Sequence, residues 1–198
     1  MSADDDGKVS QNADNPMNHV GFDLDNLELT VVDFLNIPSP HITPYHMLDI
    51  YKKIKETAGQ YDGVVITHGT DTLEETAYML GLAVKTNKPV CLTGAMRGAS
   101  ETGPDGPANI LAAVMVAASD EALGKGALLI FNDEIHAAAE VTKTHTTSCA
   151  TFHSPGWGPI GHIYFDRVVF RRQPLNLEKI CPAVLAEDVC LLKTYAGM

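Results

Sequence analysis

A threonine and an aspartate stand side by side at Thr70 and Asp71, after a run of β-branched residues, 64–67, that is broken at Gly69. A threonine hydroxyl can attack a carbonyl carbon, but near neutral pH it needs a base within hydrogen-bond reach. Lys143 could be that base if burial favours its neutral amine. Asp71 could orient this lysine or bind the ammonium group of an amino-acid substrate. These residue types therefore indicate nucleophilic chemistry, which their spacing alone leaves unspecified.

A helix is predicted to begin directly after this pair. Thr72 and Glu75 match the S/T-x-x-E capping box, so we expect a helix from Thr72 to about Thr86. Thr70 and Asp71 would then lie beside free backbone N–H groups, at the positive end of the helix dipole. Such a position suits an anion or a developing oxyanion.

Strand-like and helix-like patterns alternate along most of the chain. A helix is expected to begin at Thr43, with Pro44 at its first position. This rhythm predicts an α/β fold: a three-layer α/β/α domain with a mainly parallel, doubly wound sheet. A C-terminal β-hairpin is predicted at 163–170. The predicted strands are 27–35, 64–67, 89–93 and 127–131, and the two later helices are 72–86 and 108–123.

Polar groups follow each predicted strand of this sheet. Ser39 comes after the first strand, Thr70 and Asp71 after the second, Ala95 after the third, and Lys143 lies in the loop region after the fourth. In a doubly wound sheet these loops open on one edge, where α/β proteins bind ligands. We therefore expect the five residues to converge in one pocket.

Three segments resemble, in order and spacing, the signatures of the bacterial-type L-asparaginases, the asparaginase/glutaminase family. The resemblance extends from about Asn15 to the C-terminus. The matching segments are GVVITHGTDT at 63–72, LTGAMR at 92–97 with DGPAN at 105–109, and VTKTHTT at 141–147.

The resemblance implies an amidohydrolase that converts L-asparagine into L-aspartate and ammonia, with L-glutamine as a slower substrate. In this reading Thr70, Asp71 and Lys143 match a Thr–Lys–Asp triad. Ser39, in the turn Ile-Pro-Ser-Pro-His, would join Asp71 in holding the substrate's amino and carboxylate groups. The Ala95 carbonyl would accept from the leaving amide, and the Thr70 N–H would stabilise the oxyanion. No cofactor or metal is implied, and a homodimer or homotetramer is expected of the full-length form.

The chain departs from the family pattern at both ends. The family begins with a strand ending in TGGTI, whose threonine is the usual nucleophile, and that motif does not occur here. Residues 1–9 resemble the mobile loop that follows it, and 191–198 resemble the first strand of the family's C-terminal domain. We therefore expect a mobile acidic leader at 1–20, an asparaginase N-terminal domain at 21–182, and at 183–198 a linker with the start of a truncated C-terminal domain.

These departures leave other functions open. The chain could be a non-catalytic remnant that at most binds asparagine or aspartate. Loss of an inner strand would expose ladder edges, which predicts aggregation or rearranged pairing. A glutaminase or an amidotransferase-type relative that feeds ammonia to a glutamyl-tRNA partner is a further alternative, because that group shares the motif THGTDT.

Composition narrows the classes of partner. The net charge of −11 argues against nucleic acid, which needs clustered Lys and Arg. No apolar run approaches the ~18 residues of a membrane span. The four cysteines lack a C-x-x-C spacing, which predicts free thiols in a reducing, cytoplasmic compartment. Glu134, His136 and His145 could in principle join a metal site, but surface or hydrogen-bonded histidines are the expectation.

Overall fold

A six-stranded sheet forms the centre of the computed structural model, which describes residues 2–3, 9–10, 27–175 and 178–197. The elements in chain order are β1 (Ser2–Ala3), β2 (Val9–Ser10), α1 (Pro44–Thr57), β3 (Val64–Thr67), α2 (Leu73–Ala83), β4 (Val90–Thr93), α3 (Gly106–Ala117), β5 (Ala127–Phe131), β6 (Glu134–Ala137), β7 (Thr142–Lys143), β8 (Phe152–His153), β9 (Gly161–Tyr164) and β10 (Arg167–Phe170). Short 3-10 turns occupy Ser39–His41 and Asp120–Ala122.

The sheet has the order β10-β9-β6-β5-β4-β3. β3, β4 and β5 are parallel, as predicted for a doubly wound fold. β6, β9 and β10 extend the sheet with antiparallel pairings, and β9 with β10 forms a hairpin turned at 165–166. The α/β class is therefore confirmed, with an antiparallel extension that the sequence pattern did not reveal.

Helices cover both faces of the sheet, and β5 shows how the two cores are divided. Leu129 and Phe131 pack with α1 and α2 in one core. Leu128 and Ile130 pack with α3 in the other. Successive strand side chains point to opposite faces, so a strand covered on both sides must be apolar throughout. This requirement explains the unbroken apolar run at 127–131 and its complete burial.

The predicted first strand, 27–35, is wrong. Residues 27–38 have no regular structure before the 3-10 turn, and Leu29, Val32 and Phe34 are exposed. This segment and β3 line a common cavity of about 1480 Å³. The space that strand pairing would close therefore stays open, and β3 is the edge of the sheet in the described part of the chain.

The start of α1 is as predicted, whereas the capping box at α2 is wrong. The Thr43 side chain accepts from the His46 backbone N–H, with Pro44 in the first turn. Thr72 precedes α2 without any side-chain capping bond. Its hydroxyl instead donates to the Ser39 carbonyl, 2.7 Å away. A tertiary contact thus displaces the local cap. α2 ends at Ala83, and α3 runs from Gly106 to Ala117, so both are shorter than expected.

The predicted domain boundaries stay predictions. The leader at 1–20 falls almost wholly outside the described residues. Residues 178–197 have no regular secondary structure, and their apolar side chains include Leu191 and Tyr195, which are exposed. None of the helices in the described ranges combines the length and apolar character that a membrane span requires.

His136 on β6 is a polar residue enclosed within the sheet, with no exposed surface. Its Nδ1 lies 3.0 Å from the Ser154 hydroxyl. Burial lowers the pKa of His136 to about 4, and the charges of His153, His162 and Arg172 act in the same direction. The Glu134 carboxylate, 3.2 Å from Nε2, opposes this shift. We expect burial to dominate, because the imidazolium loses its hydration on every side.

The stability of the fold should therefore decrease in acid. Unfolded His136 binds a proton near pH 6.5 and the folded residue near pH 4, so stabilisation is complete above 6.5 and declines as the pH falls between these values. The expected loss is about 3 kcal/mol of unfolding free energy. Urea unfolding at pH 7.5, 5.5 and 4.5 measures it. In His136→Gln the step attributable to this residue should disappear, and an identical pH profile in the variant would refute the assignment.

Candidate active site

The loop that leaves the carboxyl end of β3 is held by His68. Its backbone N–H donates to the Thr93 carbonyl, 2.9 Å away, which continues the parallel ladder to β4. Its ring bridges Gly69 O, 2.6 Å from Nδ1, and Thr76 Oγ1, 3.0 Å from Nε2. Burial lowers the pKa of His68, although the bond to Gly69 opposes this. A neutral ring that donates from Nδ1 and accepts at Nε2 satisfies both contacts.

Two glycines let this loop approach its neighbours closely. A Cβ at Gly69 would lie 2.6 Å from the Ser39 hydroxyl, and a Cβ at Gly94 would lie 2.4 Å from the His68 carbonyl oxygen. Any larger residue would push the segments apart. The glycine positions therefore bring the turn at Ser39, the loop after β3 and the loop after β4 into one cluster.

The structure brings Thr70, Asp71 and Lys143 together in this cluster. The Lys143 Nζ lies 3.0 Å from the Thr70 hydroxyl and 2.9 Å from Asp71 Oδ1. The lysine side chain is 15% exposed, while the Asp71 side chain is 60% exposed. These distances are those expected between a nucleophile, its base and the group that orients the base. The Lys143 amine thus donates to both the Thr70 hydroxyl and the Asp71 carboxylate.

Lys143 reaches this position by a route that the sequence pattern did not predict. The chain turns at Asn132 and Asp133, both with positive φ, and returns as β6. Lys143 then lies in the short strand β7, paired with Phe152 of β8, rather than in a loop directly after the fourth strand. Its backbone N–H donates to the Glu74 carboxylate. Asn-Asp between two apolar runs is a hairpin signal that could have revealed the turn.

Ser39 lies beside the loop but is buried, with 1% of its surface exposed. Its hydroxyl accepts from the Asp71 backbone N–H at 3.2 Å, and its carbonyl accepts from the Thr72 hydroxyl. Both polar groups thus support the loop that carries Thr70. The resemblance implies a contact between Ser39 and substrate. That contact would require the Ser39 hydroxyl to bind the substrate and the Asp71 N–H at the same time.

Ala95 is exposed on the turn after β4, and two side chains fix that turn. The Asp105 carboxylate accepts from the backbone N–H groups of Met96 and Arg97 at 2.9 to 3.1 Å. Asn109 donates to the Gly94 carbonyl at 2.9 Å. These contacts give the segment DGPAN a structural role, since they hold the turn that presents Ala95.

An open cavity joins these groups. Thr70, Asp71, Ala95 and Lys143 all line the space of about 1480 Å³ that continues along β3. This volume is several times the lower limit of about 300 Å³ for small-molecule pockets, so the cavity has room for an amino acid. Four of the five predicted residues therefore face one cavity, and Ser39 supports it from behind.

The alternative metal grouping does not form. Within residues 27–175 and 178–197, no group of three or more His, Cys, Asp or Glu side chains could hold a metal ion. Glu134 contacts His136 inside the sheet. The His145 ring lies in the loop between β7 and β8, where it accepts from the N–H groups of Thr147 and Ser148.

Comparisons with known proteins agree with one another. The family described as "Asparaginase, N-terminal" matches residues 1–176. The probable L-asparaginase of Deinococcus radiodurans is 41% identical over 180 residues, which cover 88% of this chain and 55% of that protein. L-asparaginase 2 of Escherichia coli is 44% identical over 140 residues, covering 71% of this chain and 40% of that protein.

A solved structure shows the same fold. The probable cytoplasmic L-asparaginase from Campylobacter jejuni superposes with a TM-score of 0.69 at 43% identity, and the match covers 71% of this chain and 45% of that chain. The chain spans between 36% and 55% of the length of its curated relatives from Haemophilus influenzae, Deinococcus radiodurans and Escherichia coli.

Proposed function

This chain belongs to the asparaginase family, and we propose that it supplies the amide-hydrolysing site of an L-asparaginase. The reaction is hydrolysis of the side-chain amide of L-asparagine to L-aspartate and ammonia. The observation that carries the proposal is the position of the Lys143 Nζ, 3.0 Å from the Thr70 hydroxyl and 2.9 Å from Asp71 Oδ1.

The chemistry follows from these contacts. In the role of base, the Lys143 amine takes the Thr70 proton as the hydroxyl oxygen bonds to the amide carbon. The resulting ammonium is stabilised by the Asp71 carboxylate and gives its proton to the departing nitrogen as the C–N bond breaks. Ammonia leaves, and water attacks the ester to release aspartate and restore Thr70. The backbone N–H of Thr70, at the start of the loop before α2, stabilises the oxyanion.

Substrate recognition uses the exposed side of the same groups. The free oxygen of the Asp71 carboxylate suits the substrate ammonium, because Lys143 occupies only Oδ1. The Ala95 carbonyl, on the turn held by Asp105, accepts from the amide nitrogen. Ser39 supports the loop that carries Asp71. Its hydroxyl contacts the substrate only if it also keeps the hydrogen bond from the Asp71 N–H.

Binding without turnover is the second candidate. It is favoured by the open groove along β3, which leaves Thr70 and Asp71 accessible to water. A chain that binds aspartate or asparagine through Asp71 without releasing ammonia would fit this observation.

A cytoplasmic location belongs to the proposal as well. The Campylobacter jejuni structure is described as cytoplasmic, whereas a relative from Haemophilus influenzae is described as periplasmic. The four cysteines are free thiols, and Cys91 is fully buried, which is compatible with a reducing compartment. Assembly into dimers or tetramers through a longer form is likewise proposed.

Ammonia release from L-asparagine by the purified chain tests the proposal, with Thr70→Ala measured beside it. We expect turnover that is lost in Thr70→Ala, by on the order of a thousandfold or more. Thr86→Ala, remote from the cavity, is the matched control and should keep wild-type turnover. A folded wild-type chain that binds aspartate in calorimetry but releases no ammonia would favour the binding candidate.

A further inference from the structure

Lys143 is held at both ends by a single short segment, residues 70–74. Its amine contacts Thr70 and Asp71, and its backbone N–H donates to the carboxylate of Glu74. We propose that Glu74 is a positioning residue that fixes the Lys143 amine against Thr70 and Asp71. This inference rests on the proposed function, because it assigns Glu74 to the same site.

The strand that carries Lys143 needs such an anchor. β7 has two residues and pairs only with the equally short β8, through Thr142 with His153 and Lys143 with Phe152. A two-residue ladder between short strands is marginal on its own. The neighbouring loop after Lys143 is exposed. Val141 and Phe152 hold the base of the hairpin in the apolar core, and the contact from the first turn of α2 adds a polar bond at Lys143 itself.

The Glu74 contact suits this task because of its chemistry and its place. A carboxylate that accepts from a backbone N–H forms a charge-assisted bond, which is shorter and stronger than a neutral one. Glu74 is half-buried and lies in the first turn of α2, three residues after Asp71. Thr70, Asp71 and Glu74 thus belong to one short segment, which contacts both the amine and the backbone N–H of Lys143.

A purely helical role for Glu74 is the competing explanation. Acidic residues in the first turn of a helix favour the helix dipole wherever they point. Glu75 is the natural comparison, because it lies in the same turn of α2, carries the same charge and is exposed. An effect that depends on the dipole should appear at both positions, and an effect of positioning only at Glu74.

Acylation of lysines by a small activated ester, read by peptide mass spectrometry, measures the position of the amine without requiring turnover. Lys143 is largely enclosed and should react slowly relative to the exposed Lys85. In Glu74→Ala we expect Lys143 to react on the order of tenfold faster relative to Lys85, as the hairpin separates from the loop. Glu74→Gln should remain close to wild type, because its amide oxygen can accept the same N–H.

The matched variant is Glu75→Ala, in which the Lys143 rate should not change. An equal rate in Glu74→Ala and wild type would overturn the proposal, and so would an equal increase in Glu74→Ala and Glu75→Ala. If Glu74→Ala does not fold by circular dichroism, amide exchange at Lys143 in Glu74→Gln decides. Protection retained in Glu74→Gln supports the contact, and loss of protection in a folded sample of that variant refutes it.

The ammonia assay then separates the two proposals. In an active chain, Glu74→Ala should lower kcat with little change in KM, and Glu74→Gln should restore most of it. If no variant releases ammonia while the acylation pattern is as expected, the proposed function fails and the positioning role stands. If ammonia is released equally by wild type and Glu74→Ala, the positioning role fails and the proposed function stands.

Discussion

Replacement of Lys143 by Met should abolish ammonia release, with kcat lower by on the order of a thousandfold or more, because the Thr70 hydroxyl then has no base. Met has a similar length and leaves the β7–β8 pairing intact. The amine contacts both Thr70 and Asp71, so no neighbouring group can substitute for it without a rearrangement of the loop. Steady-state kinetics with L-asparagine gives kcat and KM separately.

Lys143→Arg sharpens this prediction. A guanidinium stays protonated at any usable pH, so it can pair with Asp71 but cannot take a proton from Thr70. We therefore expect Arg to preserve substrate binding and to leave turnover as low as in Lys143→Met. Lys85→Met, at an exposed site, serves as the control and should be fully active. Substantial turnover by Lys143→Arg would show that the lysine acts by its charge alone.

The largest loss of stability should follow from breaking the pair between Glu140 and Arg172. The Glu140 side chain is 4% exposed and accepts from Arg172 Nη1 at 3.1 Å and from Nη2. Arg172 Nη2 also donates to the Gly158 carbonyl, 2.7 Å away. The bond to Glu140 raises the pKa of the Arg172 guanidinium. This pair ties the segment before β7 to the end of β10.

Arg172→Met leaves the Glu140 carboxylate buried without its partner, which typically costs about 3–5 kcal/mol of unfolding free energy. Urea unfolding of Arg172→Met, Glu140→Leu and the double variant measures the coupling. We expect the double variant to recover part of the loss, since the unpaired charge is gone. A double variant no more stable than Arg172→Met would contradict this explanation.

The exposed pair of Lys88 and Asp62 provides the matched comparison. These side chains are 2.7 Å apart, but the Asp62 side chain is fully exposed. Solvent screens such a pair, so Lys88→Met should shift the urea midpoint far less than Arg172→Met does. If Lys88→Met and Arg172→Met lose equal stability, the burial of Glu140 does not explain the cost of breaking its pair with Arg172.

Local sequence patterns predicted the parts of the fold that depend on local physics. Thr43 and Pro44 satisfy the start of α1 by themselves, and the apolar run 127–131 requires burial on both faces wherever it is placed. The position of Thr70 and Asp71 followed from the rule that ligand sites lie at the carboxyl ends of parallel strands. Lys143 joins them from β7, after an antiparallel strand that this rule does not cover. For these elements the nearest neighbours in sequence carry most of the information.

Other features depend on partners that are distant in sequence. Thr72 has the right residue type for a cap, but its hydroxyl donates to Ser39, which lies 33 residues earlier. Residues 27–35 have the composition of a strand, but they do not pair with β3, and both segments line an open cavity. The anchor from Glu74 to Lys143 spans 69 residues. Composition and spacing carry no information about such contacts.

The sequence separation between Thr70 and Lys143 also affects when their contact forms during folding. Thr70 and Lys143 are 73 residues apart, and α2, β4, α3, β5 and β6 lie between them. Closing so long a loop costs conformational entropy, which is offset only when those elements have packed. The hydroxyl and the amine are therefore expected to come together late in folding. During synthesis the contact between Thr70 and Lys143 therefore forms only after Lys143 has been synthesised and the sheet has folded. Because local opening can precede global unfolding, reactivity would also be the first property lost when the hairpin detaches.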